Sequence, residues 1–133
     1  MTVSKTQIKI CGVTSVTQAV EIANLGVDAI GIISVKESPR YVYPSKKREI
    51  FETLSKIFPK VKRVSVIKNE PINQILESLQ SEISENVLQL HGDEKINYCK
   101  NIKDNFQQIE LWKAFRIKKA IDLENISSYS NFI

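Results

Sequence analysis

Gln7-Ile8-Lys9-Ile10-Cys11-Gly12 is the stretch that decides how the rest of this chain is read. Gln7-Ile8-Lys9-Ile10 reads as a short strand, and a helical pattern begins only a few residues later. Cys11 therefore falls at the C-terminal tip of a strand, facing a βα loop. In parallel α/β folds that edge is where ligands bind and chemistry happens. A thiol is also one of the few side chains that can be tuned to act as a base near neutral pH. The plainer alternative for Cys11 is that of most free cysteines, a small buried hydrophobe.

Working outward, strand-like and helix-like segments alternate along the whole chain. Further strands are predicted at residues 29–33, 63–67, 87–90 and 109–114, after the first at 7–10. Most are short apolar runs, as expected of strands buried on both faces. The helices between them carry their own signals. Ser15 and Gln18 have capping-box spacing, and Val16, Ala19, Val20 and Ala23 follow the i, i+3, i+4, i+7 stripe before Gly26 stops the helix. Pro44 suits the first turn of a second helix with a stripe of Ile50, Phe51, Leu54, Ile57 and Phe58. Pro71 opens a third, with Ile72, Ile75, Leu76 and Leu79 on one face. Asp93 is the expected cap of a fourth, with Cys99, Ile102 and Phe106 inward. Ile121-Asp122-Leu123-Glu124 is the expected start of a fifth, and Asn131-Phe132-Ile133 reads as the lead-in to another strand.

Five βα units in a row argue for one α/β domain over residues 1–133, built on a parallel sheet with right-handed crossovers. Two architectures fit that pattern. One is a five-stranded, doubly wound, flavodoxin-like domain, complete at this length. The other is five of the eight units of a TIM (β/α)8 barrel, a fold that takes about 200 residues or more.

Composition narrows the function classes. No apolar stretch approaches the roughly 20 residues of a membrane span. Met1-Thr2-Val3-Ser4-Lys5 lacks the apolar core of a signal peptide, so the two cysteines are expected as reduced thiols in a cytoplasmic setting. A net charge of +4 suits a small anionic substrate as well as a solvated lysine-rich surface. The lysines are scattered and no nucleic-acid motif is present, so no nucleic-acid partner is expected. One histidine and two distant cysteines make no metal ligand set. Without a Walker loop or G-x-G-x-x-G, a nucleotide cofactor has no support in the sequence.

The polar residues collect after the strands. Cys11-Gly12 follow the first, Ser34 to Tyr41 the second, Lys68 and Asn69 the third, His91-Gly92-Asp93 the fourth, and Phe115 and Arg116 the fifth. Each has a bland alternative as well. His91 could simply cap a helix or bond a carbonyl. Arg40 could pair with a surface carboxylate, although Pro39 restricts its loop and a guanidinium matches a planar carboxylate. Gly92 suits a tight turn or the close approach of a ligand.

Five motifs then occur in order. They are Lys9-Ile10-Cys11-Gly12-Val13-Thr14, Gly26-Val27-Asp28-Ala29-Ile30-Gly31, Ser38-Pro39-Arg40-Tyr41, Leu88-Gln89-Leu90-His91-Gly92-Asp93-Glu94 and Lys113-Ala114-Phe115-Arg116. The set resembles the phosphoribosylanthranilate isomerases, (β/α)8-barrel enzymes of tryptophan biosynthesis, from Ile8 to Arg116. The resemblance implies an Amadori rearrangement of N-(5-phosphoribosyl)anthranilate, a small phosphorylated substrate, with no cofactor. An acid protonates the furanose oxygen, the ring opens to a Schiff base, and a base takes the C2′ proton. The enolamine then tautomerises to the ketone, 1-(2-carboxyphenylamino)-1-deoxyribulose 5-phosphate. By motif match Cys11 is the base and Arg40 binds the anthranilate carboxylate. His91 and Gln89 line the pocket, and Lys9, on the same side of its strand as Cys11, lends positive potential.

The family's general-acid aspartate, after the sixth strand, and its Gly-rich phosphate loops have no match in these 133 residues. Lys68 also stands where the family is usually apolar. The expectation is therefore an incomplete isomerase, by itself inactive or nearly so. A homodimer or a complementing C-terminal fragment is the expected partner, with exposed edges at the first and fifth strands favouring self-association. The competing expectation is a non-catalytic half-barrel or doubly wound module that binds a phosphorylated ligand or a partner chain and leaves Cys11 idle.

Overall fold

In a computed structural model, residues 4–81 and 84–133 are described, and the first three residues, read above for a leader, lie outside them. Five strands alternate with helices in chain order. These are β1 (Lys9–Cys11), α1 (Val16–Asn24), β2 (Ala29–Ile33), α2 (Pro44–Ile57), β3 (Lys62–Ile67), α3 (Ile72–Ser81), β4 (Val87–Leu90), α4 (Ile96–Asn105) and β5 (Glu110–Lys113). A short 3-10 turn, Ala120–Leu123, and α5 (Glu124–Ser127) follow. All four strand pairings are parallel and the spatial order is β1-β2-β3-β4-β5. That sequential order is how successive units run around a (β/α) barrel, and it has no reversal of the kind that marks a doubly wound sheet.

Alternation along each strand gives the sheet two different faces. Ile30 and Ile32 of β2 are fully buried against Ala19 and Ala23 of α1 and Ile50, Phe51 and Leu54 of α2. Leu88 and Leu90 of β4 and Leu111 of β5 pack in the same way against Ile75, Leu79, Cys99 and Ile102 of α3 and α4. The other face is thinner, with Ala29, Ile33, Val64, Val66 and Val87 beside Cys11 and Trp112. It is also concave. Lys9 of β1 donates its ammonium hydrogen bond to the Gln89 side chain of β4. Three strand steps separate their backbones by roughly 14 Å in a flat sheet. The two side chains meet because the sheet is rolled about an axis on that face.

Local signals account for most element ends. The Ser15 hydroxyl accepts the Gln18 amide at 3.2 Å and caps α1. The reciprocal half of the box is absent: the Gln18 side chain turns to the Thr14 amide and hydroxyl instead. Gly26 ends that helix at φ +87, a conformation that disfavours a Cβ. Pro44 opens α2 as expected.

Three expectations need correcting. Asp93 does not cap α4, because the helix begins at Ile96 with Lys95 at its N-cap, two residues further along the chain. Ile57, the last residue of α2, is 57% exposed. Phe58, next to it, packs on the core instead. Asn131 to Ile133 form no strand: the Phe132 amide turns back to the Tyr129 carbonyl, and both rings pack on the α3–α4 cluster.

No helix among the described residues is long and apolar enough to cross a membrane. The largest fully buried side chain is Phe51, between α1 and β2. Phe51→Ala is expected to lower the unfolding free energy by about 3–5 kcal/mol, from lost burial plus the cavity left behind. A denaturant titration with an unchanged slope checks this.

Candidate active site

Because every strand pairs in parallel with the next, all five C-terminal tips lie at one edge. Cys11 ends β1 half-buried on the concave side. Its register partner is Gly31 of β2, and a Cβ there would sit 2.9 Å from the Cys11 sulfur and 3.1 Å from Lys9 Cε. Gly31 is thus the residue that makes room for Cys11 and Lys9 together. Gly12 follows at φ +85, with the Arg40 side chain laid across it so closely that a Cβ would collide with the guanidinium. Arg40 Nη1 donates to the Cys11 carbonyl at 3.4 Å. The loop that carries Arg40 is tied down by its own turn, with the Arg40 amide on the Ser38 hydroxyl, and by the Val42 amide on the Ile33 carbonyl.

Lys9, Gln89 and Trp112 meet below Cys11 on the same face. The Lys9 ammonium lies 5.9 Å from the Trp112 ring centre and the Lys62 ammonium 5.6 Å from it, both within cation–π range. Trp112 donates its indole N–H to Glu110 at 2.9 Å, and Lys62 pairs with the same carboxylate at 2.9 Å. These two bonds hold the Glu110 carboxyl below the ordinary carboxylate range.

A cleft of about 740 Å³ opens at the tips of β4 and β5. His91, Gly92, Lys113, Phe115, Arg116 and Tyr129 are among its walls. His91 is exposed there, its backbone amide bonded to the Ile67 carbonyl at 2.8 Å. Lys68 lines the cleft as well. The structure thus groups the sequence-derived candidates as Cys11 with Arg40, and Lys9 with Gln89. His91 stands apart in the cleft, and neither Cys11 nor Arg40 lines it.

Sequence reasoning missed Glu94 and Lys113. Glu94 receives the Asn69 amide at 2.7 Å, the Gly92 amide at 2.9 Å and the Lys113 ammonium at 3.5 Å. Both side chains are almost fully buried. An acid just ahead of a helix ordinarily reads as a first-turn residue, so only the fold reveals the three donors around it. Gly31 was visible in its motif, but its reason, the sulfur opposite, was not.

A sequentially ordered parallel βα sheet, with a thiol, a guanidinium and a cleft at its C-terminal edge, defines a (β/α)-barrel type of enzyme scaffold. The chain belongs to the N-(5'-phosphoribosyl)anthranilate (PRA) isomerase family, whose model matches residues 8–132. It is 41% identical over 127 residues to the N-(5'-phosphoribosyl)anthranilate isomerase of Synechococcus elongatus, covering 96% of this chain and 58% of that protein. A solved phosphoribosyl anthranilate isomerase in complex with reduced 1-(o-carboxyphenylamino)-1-deoxyribulose 5-phosphate superposes with a TM-score of 0.82 at 32% identity, over 96% of this chain and 62% of the other. A monomeric form of the dimeric enzyme from Thermotoga maritima superposes with a TM-score of 0.81, also at 32% identity, over 96% and 61%. The chain therefore spans a little under two thirds of the length of these relatives.

Two expected outcomes follow from the site. Cys99 is fully buried and burial pushes its thiol up, whereas Cys11 is half-exposed. Near neutral pH, Cys11 is expected to alkylate with iodoacetamide at least tenfold faster than Cys99, as peptide mapping would show. Equal slow rates would favour an idle Cys11. For Glu110, the folded state favours the ionised form. Its contribution is present above the unfolded carboxyl range of about 4.3 and is lost as pH falls through the lower folded value. The side chain is 48% exposed, so solvent screening limits the effect to about 1 kcal/mol or less. Glu110→Gln should narrow the stability gap between pH 7 and pH 3 relative to the parent, measured by thermal melts.

Proposed function

We propose that this chain carries the base and the carboxylate clamp of a phosphoribosylanthranilate isomerase, acting on N-(5-phosphoribosyl)anthranilate in tryptophan biosynthesis. The observation that supports this best is the arrangement at β1 and β2. Cys11 stands at a strand tip in the space that Gly31 leaves open, with Arg40 folded over Gly12 beside it. Cys11 takes the C2′ proton of the ring-opened Schiff base, and the resulting enolamine tautomerises to the ketone. Arg40 offers a planar pair of N–H donors to the anthranilate carboxylate. Its contact with the Cys11 carbonyl, at 3.4 Å, is long enough to be exchanged for a ligand oxygen. Lys9, tied to Gln89, supplies positive potential below the sulfur, and His91 lines the neighbouring cleft at the tips of β4 and β5. The setting is cytoplasmic and the assembly a homodimer or a pairing with a complementing C-terminal segment.

None of the aspartates in these 133 residues matches the family's general acid. The isolated chain is therefore expected to turn over little or no N-(5-phosphoribosyl)anthranilate, while still binding the reduced product analogue through Arg40. Calorimetry with that analogue should show binding that Arg40→Ala weakens by roughly tenfold or more, in line with loss of a charged hydrogen-bonded pair. The analogue should also slow alkylation of Cys11. No binding and no protection would sink the reading. Robust turnover abolished by Cys11→Ser would instead place the acid within this chain.

A further inference from the structure

Glu94 has no part in the chemistry above, yet its buried carboxylate is bound from three sides at this edge. It is 1% exposed, and a carboxylate so deep needs donors on both oxygens. Oε2 takes the Asn69 amide from the loop after β3. Oε1 takes the Gly92 amide from the loop after β4 and faces the Lys113 ammonium at the tip of β5. Lys113, 4% exposed, also donates to the Gly92 carbonyl at 2.5 Å. Asn69 closes the circuit. It sits at φ +51, in the left-handed region, and its side chain accepts the Asp93 amide at 2.7 Å. A Cβ on Gly92 would collide with that same Asn69 side chain. His91 lies between two anchors: its own amide is on the Ile67 carbonyl, and the next amide is on Glu94.

We propose that Glu94 is the positioning residue of this edge. Its carboxylate holds the β3–α3 and β4–α4 loops in register and thereby sets where the His91 imidazole stands in the cleft. What this does for a bound ligand rests on the isomerase reading; the latch itself does not. A carboxylate is required because two backbone N–H groups and an ammonium converge on two acceptor oxygens. A glutamine would turn an NH2 toward one of those donors and leave Lys113 without its counter-charge.

The test uses the full 15N-labelled chain as parent, Glu94→Gln, Lys113→Met and the double variant. In Glu94→Gln, the Asn69 or Gly92 amide is expected to exchange at least tenfold faster. The His91 ring resonances should shift, while the Val64 and Leu88 amides keep their protection. The double variant removes the unpaired ammonium and should regain thermal stability without regaining loop protection. It also decides the matter if Glu94→Gln alone does not fold. Parent-like exchange at both loop amides, or loop protection restored along with stability, would overturn the proposal. Affinity for the reduced product analogue should fall at least tenfold in the double variant, and loosened loops with unchanged affinity would also overturn it. If the parent itself fails to bind the analogue, the isomerase reading fails, and the latch is still decided by amide exchange and the His91 signals.

Discussion

Parallel pairing of each strand with the next one along the chain is the constraint on which this structure depends. A parallel neighbour requires a crossover, and here each crossover contains a helix. The return path therefore lies over one face, and every strand points the same way. Two consequences follow without further design. The helix face becomes the main core, built on Ile30, Ile32, Leu88, Leu90 and Leu111. The five strand tips come together at one edge, so residues far apart in sequence share a site.

That edge is polar, and several of its side chains bind backbone groups of neighbouring loops. Loop backbone at the end of a buried strand cannot leave amides unpaired without a penalty of about 1–3 kcal/mol each. The structure meets this with side chains that bridge loops: Glu94 for Asn69 and Gly92, Asn69 for Asp93, and Arg40 for the Cys11 carbonyl. The buried ion pair of Glu94 and Lys113 is weak evidence for stability by itself, since desolvation offsets much of the attraction. Its value lies in geometry, because it ties three strand ends to one carboxylate.

The concave face shows the same economy. Lys9, Lys62, Gln89, Trp112 and Glu110 form a connected layer in which two ammonium groups share one indole, Lys9 reaching on to Gln89 and Lys62 to Glu110. Beside this layer, Gly31 gives up its side chain so that the Cys11 sulfur has room. Small and large residues are thus matched across neighbouring strands, which is a property of register rather than of any one segment.

Much of this was legible in the residues. Short apolar runs between helical stripes marked the strands, and the structure places β2 and β4 at the predicted residues. Gly26 and Pro44 marked helix ends because their backbone constraints are local. Cys11, Arg40 and His91 stood out as chemically distinctive groups just past strands. The supposed strand at residues 131–133 misled because its competing partner, the α3–α4 cluster, is distant in sequence, and the fourth helix starts two residues later than Asp93 as a cap would require. By itself, then, the sequence determined the alternation of strands and helices, the family and the candidate groups, since periodicity, capping and motif order are all properties of neighbouring residues. Only the tertiary structure decided the spatial strand order, the pairing of Cys11 with Gly31, the separation of His91 from Cys11 and Arg40, and the gathering of three loops on Glu94. Each of these depends on side chains that meet only once the sheet has rolled.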